Sequence, residues 1–188
     1  MKLKTLIHAS LEHAAALPDE GAKQGIIHRN RSKLLVEALA AGFREAYSAQ
    51  PAVRVMSKHS SLNRPEFGLN ELLFDVLVCE TGKTRSATQS TELTYVTMAL
   101  WTVESEMARD TRQALFDFNK LVLAAGSNKL FIGPKVADTN AYLESLLLPA
   151  RCCSGSVFVA LVPHPSLWDS CELSVDLWQL TDNQWCRL

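Results

Sequence analysis

The stretch LTYVTMALWTVESEM at residues 93–107, followed at once by ARDTRQALFDFNKLVLAAG at 108–126, decides how the chain is read. Its first half alternates Thr with apolar residues and is rich in branched and aromatic side chains, the pattern of a strand with one face more buried than the other. The second half changes period. Leu115, Phe118, Leu121 and Val122 form a helical stripe, Asp110 or Thr111 is placed to cap its start, and Gly126 to end it. A long strand that passes directly into a helix is the unit from which α/β sheets are built.

Upstream, VRVMS at 53–57 and LLFDVLVC at 72–79 read as strands, with SSLNRPEFGLN between them as a loop or short distorted element. The polar run TGKTRSATQST at 81–91 reads as an excursion or hairpin tip. SKLLVEALAAGFREAYSA at 32–49 predicts an amphipathic helix capped by Ser32, and residues 1–17 predict a helix closed by Pro18. Downstream, KLFIGPK is a short buried strand and TNAYLESLLLPA a helix with Thr139 as cap and Pro149 at its exit. SVFVALVPH is a further strand, and LSVDLWQLTDNQWCRL predicts a closing hairpin around Thr181 to Asn183. The order predicts an α/β fold with a mixed central sheet flanked by helices, a meander first and crossover helices afterwards.

The chain has 188 residues, the size of one ordinary domain, with 47% hydrophobic and 21% charged residues and a formal net charge of −1. We expect a single domain over 1–188, its core spanning about 32–165, with a helical segment before it and strands after it. Residues 1–64 hold ten of the 19 Lys and Arg but five of the 20 Asp and Glu. The basic residues gather at Lys23 to Lys33 and Arg54 to Arg64, which points to a positive face for phosphates. Arg29, Arg31, Lys33, Lys58, Arg64 and Arg112 are the expected nucleic-acid contacts. The five cysteines lack metal-ligand spacing and suit a reducing compartment. With no apolar run of membrane-spanning length and no signal-peptide pattern, the expected location is cytoplasmic.

Three acids stand where acids are costly. Asp75 interrupts the apolar run LLFDVLVC, and Glu104 and Glu106 end the long strand on one face. If the two strands are neighbours, the carboxylates converge, repel one another and hold protons unless a hard cation such as Mg²⁺ or Mn²⁺ joins them. The alternative is that Glu104 and Glu106 are solvated and Asp75 pairs with an arginine such as Arg54.

This arrangement resembles the PD-(D/E)XK nuclease superfamily, in which an Asp on one strand is followed on the next by a (D/E)-x-K triplet and then a helix. Asp75 stands for the Asp and Glu104-Ser105-Glu106 for the triplet, within a resemblance that covers about 32–135. Glu106 replaces the motif lysine, and Phe74 stands where Pro precedes the Asp. The resemblance implies hydrolysis of a phosphodiester, DNA in the first instance, by metal-activated water. Asp75, Glu104 and the Ser105 carbonyl would hold the metal, with Glu37 or, second, Glu45 adding an acid from the early helix. Glu106 would orient water or hold a second metal. Lys120 would restore the missing positive charge, and Gln113, which shares its helix face, would lean over the site. It also implies a homodimer, since two cuts on antiparallel strands match two-fold symmetry.

Other readings are a nuclease fold that has lost catalysis and keeps a nucleic-acid-binding or interaction role, and a Cys/His hydrolase using His164 with Cys152, Cys153 or Ser154. A third is an interaction module built on Trp101, Trp168, Trp178 and Trp185, which would otherwise close the core.

Overall fold

A computed structural model describes residues 2–16, 24–70, 72–88 and 90–188. Two helices, α1 (Leu3–Ala15) and α2 (Gln24–Ala46), precede strand β1 (Val53–Ser57), the short helix α3 (Asn63–Phe67) and strands β2 (Val76–Arg85) and β3 (Glu92–Ser105). Helix α4 (Thr111–Leu123) leads to β4 (Asn128–Pro134), and α5 (Thr139–Arg151) to β5 (Ser156–Val162). A 3₁₀ turn (Pro165–Leu167) and the hairpin β6 (Asp176–Thr181) and β7 (Gln184–Arg187) complete the chain.

The seven strands form one sheet in chain order. β1, β2 and β3 are an antiparallel meander, β3, β4 and β5 run parallel, and β6 and β7 return antiparallel. The sequence predicted this mixed α/β order. A parallel neighbour requires a crossover, and α4 and α5 supply it twice.

The sheet is covered on both faces, and alternation along each strand divides the core. Val76, Val78, Val103, Leu130, Ile132 and Val162 pack with Leu35, Leu39 and Phe43 of α2 and Ile7 and Leu11 of α1. Phe131, Val157, Val159 and Leu161 pack on the other face with Phe118 and Leu121 of α4 and Leu143 and Leu146 of α5. Because Val103 faces the first layer, Thr102 and Glu104 face the second. All four tryptophans contribute to this packing: Trp101, Trp168 and Trp178 are buried and the indole of Trp185 donates to the Leu143 carbonyl. Among the described residues no helix is long and apolar enough to cross a membrane.

Several boundaries differ from expectation for local reasons. α2 begins at Gln24, so Ser32 is no cap; its hydroxyl donates to the His28 carbonyl one turn back. Pro18 and Lys23 lie outside the described residues. Asp110 caps α4 by accepting from the Arg112 N–H, and Asp138, not Thr139, caps α5 by accepting from Ala141. α4 ends at Leu123, short of Gly126, and α5 continues through Pro149 to Arg151. Much of the polar run 81–91 is strand: Lys83, Thr84 and Arg85 pair with Thr94, Leu93 and Glu92 in a ribbon that outruns the sheet. The closing hairpin turns at Asp182 and Asn183, both at positive φ, as a two-residue turn requires.

Gly155 introduces β5 at φ +73, and a Cβ there would lie 2.3 Å from the backbone oxygen of Ser127. Gly155→Ala should therefore cost about 1–3 kcal/mol in denaturant unfolding, since neither the backbone angle nor the neighbouring carbonyl can give way cheaply. An unchanged midpoint would contradict this packing.

Candidate active site at the end of the central strand

The register of β2 on β3 pairs Val76 with Val103, so the next step places Asp75 opposite Glu104. On the other side, Ser57 pairs with Val76 and the Lys58 N–H donates to the Asp75 carbonyl, which sets Lys58 opposite Asp75. Lys58, Asp75 and Glu104 thus lie in a row across three strands. The edge is the one at which the parallel strands β3, β4 and β5 end, where open α/β sheets present their ligand sites.

Asp75 is 8% exposed. Its Oδ2 accepts from the Ser105 N–H at 2.9 Å, and its Oδ1 lies 3.3 Å from Lys58 Nζ. Lys58, and not Arg54, is its cation; the Arg54 guanidinium donates to the Pro51 and Val53 carbonyls. Glu104 is 1% exposed, and its Oε2 accepts from Lys120 Nζ at 3.0 Å. Its Oε1 is buried without a hydrogen-bond partner among the described residues. Lys120 also lies 2.7 Å from Asp117, one turn earlier on α4.

Burial pushes the Glu104 carboxyl up to about 8, and the nearby charge of Asp75 adds to the rise while Lys120 opposes it. Burial works against the Lys120 charge too, yet the hydrogen bonds that the ammonium donates to Asp117 and Glu104 outweigh it and hold it above its ordinary range. These two tendencies are compatible because Asp117 keeps Lys120 charged when Glu104 is protonated. Glu106 is likewise raised, first by burial and then by its hydrogen bond and charge interaction with Asp117; its Oε1 caps the Ala108 N–H at 2.6 Å. Four acids therefore meet two lysines, and protons supply part of the missing positive charge, as expected of converging carboxylates.

Other expected members are elsewhere. Glu37 accepts from the Ser57 hydroxyl at 2.7 Å and the His59 N–H at 3.3 Å. Ser57 pairs in the strand beside Lys58 but faces α2, so Glu37 is held on the other side of the sheet from Asp75 and Glu104. Glu45 is exposed near the end of α2. Gln113 is exposed on α4, and Arg112 lies over the Phe116 ring at 5.7 Å. Arg29, Lys33 and Arg64 are exposed, whereas Arg31 is 5% exposed and is committed to Asp169 at 2.7 Å and the Pro165 carbonyl at 2.8 Å. Cys153 and Ser154 lie at the opposite edge of the sheet from His164, because β5 runs the whole way between them. The Cys/His pair is therefore not assembled.

Two participants were missed. Asp117 falls between Gln113 and Lys120 at steps of four and three, a shared helix face that was there to be read. Tyr142 on α5 gave no signal: it is 3% exposed, its hydroxyl has no hydrogen-bond partner among the described residues, and burial followed by the charge of Glu106 raises its pKa.

No protein-family model, curated protein or solved structure matches the chain. The chemistry of the donors decides what they would hold. Among the described residues no group of three or more His, Cys, Asp and Glu is arranged to bind a metal ion. Mg²⁺ is commonly held by one or two carboxylates, with waters and substrate phosphate completing its shell. Asp75 and the unpartnered Glu104 Oε1 fit that lesser demand.

A carboxyl whose folded pKa lies above its unfolded value contributes stability that is complete below the unfolded value and lost as pH rises through the folded one. Metal-free protein should therefore lose stability between about pH 5 and about pH 8 as Glu104 ionises. Glu104→Gln should flatten that slope in denaturant titrations, and an unaltered slope would show that Glu104 is not the group responsible.

Proposed function

We propose that the chain is a metal-dependent nuclease of the PD-(D/E)XK type, with a restriction-endonuclease-like core, acting on DNA. The observation that carries this reading is the meeting of Asp75 and Glu104 on one face of adjacent strands with the Lys120 ammonium 3.0 Å from Glu104. The order α2, β1, β2, β3, α4, β4 supports it, since the resemblance asks for a helix, a strand, an Asp strand, a triplet strand, a helix and a strand in that sequence.

Mg²⁺ or Mn²⁺ held by Asp75, Glu104 and the Ser105 carbonyl would lower the pKa of water and neutralise charge on the phosphate. Lys120 brings a positive charge to the acids from α4 and so does the work of the lysine that Glu106 replaces. Asp117 positions that ammonium and keeps it charged. Glu106, with its raised pKa and its hold on the Ala108 N–H, is placed to accept or orient a proton-bearing group beside Glu104. Lys58, Arg29, Lys33, Arg64 and Arg112 supply cations for the duplex backbone, and Arg31 is removed from that set by its burial. A cytoplasmic homodimer belongs to the same proposal.

A second reading is a nuclease fold without catalysis, used for nucleic-acid binding or protein interaction. It is favoured by the ion pairs Lys58–Asp75 and Lys120–Glu104, which satisfy one oxygen of each acid without a metal.

With Mg²⁺ or Mn²⁺ the protein should nick or cut DNA, and Asp75→Asn or Glu104→Gln should abolish both cleavage and Mn²⁺ binding by calorimetry. Lys120→Ala should lower kcat by roughly 10²–10³-fold while leaving Mn²⁺ binding in place. Glu106→Lys should keep part of the activity. Metal bound with no cleavage would favour the inactive fold, and no metal bound at all would remove the nuclease reading.

Nucleic-acid affinity should also fall steeply with salt, because Lys and Arg contacts to phosphate release counterions. Filter binding across a salt series measures this, and affinity indifferent to salt would point away from backbone contacts.

A further inference from the structure

The ribbon formed by the far ends of β2 and β3 has two open edges, and only one of them is guarded. On β2 the last outward backbone bond is from the Thr81 N–H to the Ala52 carbonyl; on β3 it is from the Ser127 N–H to the Ala99 carbonyl. Among the described residues, Gly82–Arg85 and Glu92–Met98 pair with each other and with no third strand. The β2 edge carries Lys83 and Arg85, charges of the kind that keep a foreign strand away. The β3 edge carries Glu92 alone, and that acid lies 3.6 Å from Lys83 of its own ribbon. The rest of the edge, Leu93-Thr94-Tyr95-Val96-Thr97-Met98, has no charge, Pro or Gly, and Leu93, Tyr95, Val96 and Met98 are between 41% and 49% exposed. A two-stranded ribbon is marginal in water, and a further strand with apolar side chains is what makes it stable.

Glu92 to Val96 pair with Arg85 to Thr81 without interruption, and the register shifts only beyond them, at Thr97. Leu93 and Tyr95 therefore share one face, and Glu92, Thr94 and Val96 the other. We propose that two copies of the chain join through this edge, β3 against β3 of the second copy, antiparallel about a two-fold axis at Thr94. Leu93 then faces Tyr95 of the second copy on one side of the four-stranded ribbon. On the other side Thr94 meets Thr94 and Glu92 faces Val96. These are aromatic–aliphatic and Thr–Thr pairs of the stabilising kind, and no like charges are opposed. A contact of this symmetry uses the open edge once and closes, leaving outermost only the β2 edges that Lys83 and Arg85 guard. Nucleic acid fits the ribbon less well, because Glu80 and Glu92 balance Lys83 and Arg85 and residues 86–91 are uncharged.

The axis lies at the end of β3 remote from the acids. From Thr94 to Glu104 the strand advances about 33 Å, so the two acid sites stand roughly 60 Å apart at the outer ends of the dimer. On the nuclease reading each site therefore works alone on one strand, in place of paired cuts at a shared position. The pairing of the edges does not rest on that reading.

Sedimentation velocity of the full chain over a concentration series should show a monomer–dimer equilibrium, and hydrogen exchange should show amides of Glu92–Val96 slowing as the dimer fills. Leu93→Lys, which removes two symmetry-related Leu–Tyr pairs, should weaken association about tenfold with an unchanged urea midpoint. Thr94→Lys and Thr94→Glu each oppose like charges on the axis and should each give monomer, whereas the two variants mixed should restore a dimer. Monomer at every concentration reached, or a dimer indifferent to these substitutions, would overturn the pairing. Duplex DNA that slows the same amides in a monomeric chain would overturn it in favour of a ribbon seated in a groove. Metal-dependent nicking per chain should be unchanged in Leu93→Lys, and nicking lost with the dimer would overturn the independence of the two sites. A chain that dimerises through this edge without any nicking would uphold the pairing while removing the nuclease reading.

Discussion

The Glu104 carboxyl sits at the end of the central strand, 1% exposed, with one oxygen on Lys120 and the other without a hydrogen-bond partner among the described residues. Burying an ionised carboxylate costs several kcal/mol even after the protein relaxes, and an ion pair offsets that only when the remaining lone pairs are satisfied. Here they are not. A hydrophobic residue at 104 would join Phe131 and Phe118 without any such cost, so packing gives no reason for an acid. Everything near it is arranged to make the acid tolerable: Asp117 holds the lysine, the Ser105 N–H holds Asp75, and the Ala108 N–H holds Glu106.

The sheet places these groups with little freedom. Asp75 cannot move away from Glu104 without a slip in the register of β2 on β3, and a one-residue slip would turn Val76 and Val78 out of the α1–α2 layer. Lys120 is fixed by Phe118 and Leu121, its neighbours on the buried stripe of α4. The crossover that makes β4 parallel to β3 is thus also what brings a cation to the acids. Fold and site share the same elements, which is why the acids sit at strand ends and the lysine on the helix that follows.

That sharing explains what was legible in the sequence. Asp75, Glu104 and Glu106 were visible because each interrupts an apolar pattern, and the strand-to-helix change at 108 was visible as a change of period. Asp117 obeyed the same helical arithmetic as Gln113 and Lys120 but looked like an ordinary surface acid. Arg31 looked like a phosphate contact because basic neighbours in sequence suggest a basic surface. It is instead buried against Asp169, a residue 138 positions away that no local pattern reveals. Glu37 was placed with the acids by resemblance, but the side of the sheet on which a helix packs is settled by the whole layer, and α2 covers the other face.

The distribution of polar atoms lacking partners carries the argument one step further. Glu104 Oε1 and the Tyr142 hydroxyl are both buried without a hydrogen-bond partner among the described residues, and the charge of Glu106 acts on Tyr142. Each such atom costs about 1–3 kcal/mol in a folded protein, a large fraction of ordinary stability. The hydroxyls of Thr102 and Ser105 on the same strand are in the same condition among the described residues, whereas an ion pair closed on both sides would be cheaper to keep. Lys129 shows that alternative in the same molecule: its buried ammonium donates to the Gly126 carbonyl and to both the carbonyl and hydroxyl of Ser154 at the opposite edge of the sheet. That lysine is a staple, with its donors spent on the protein. Glu104, beside Lys120, instead leaves Oε1 without a partner among the described residues, a cost that the metal of the proposed reaction would offset.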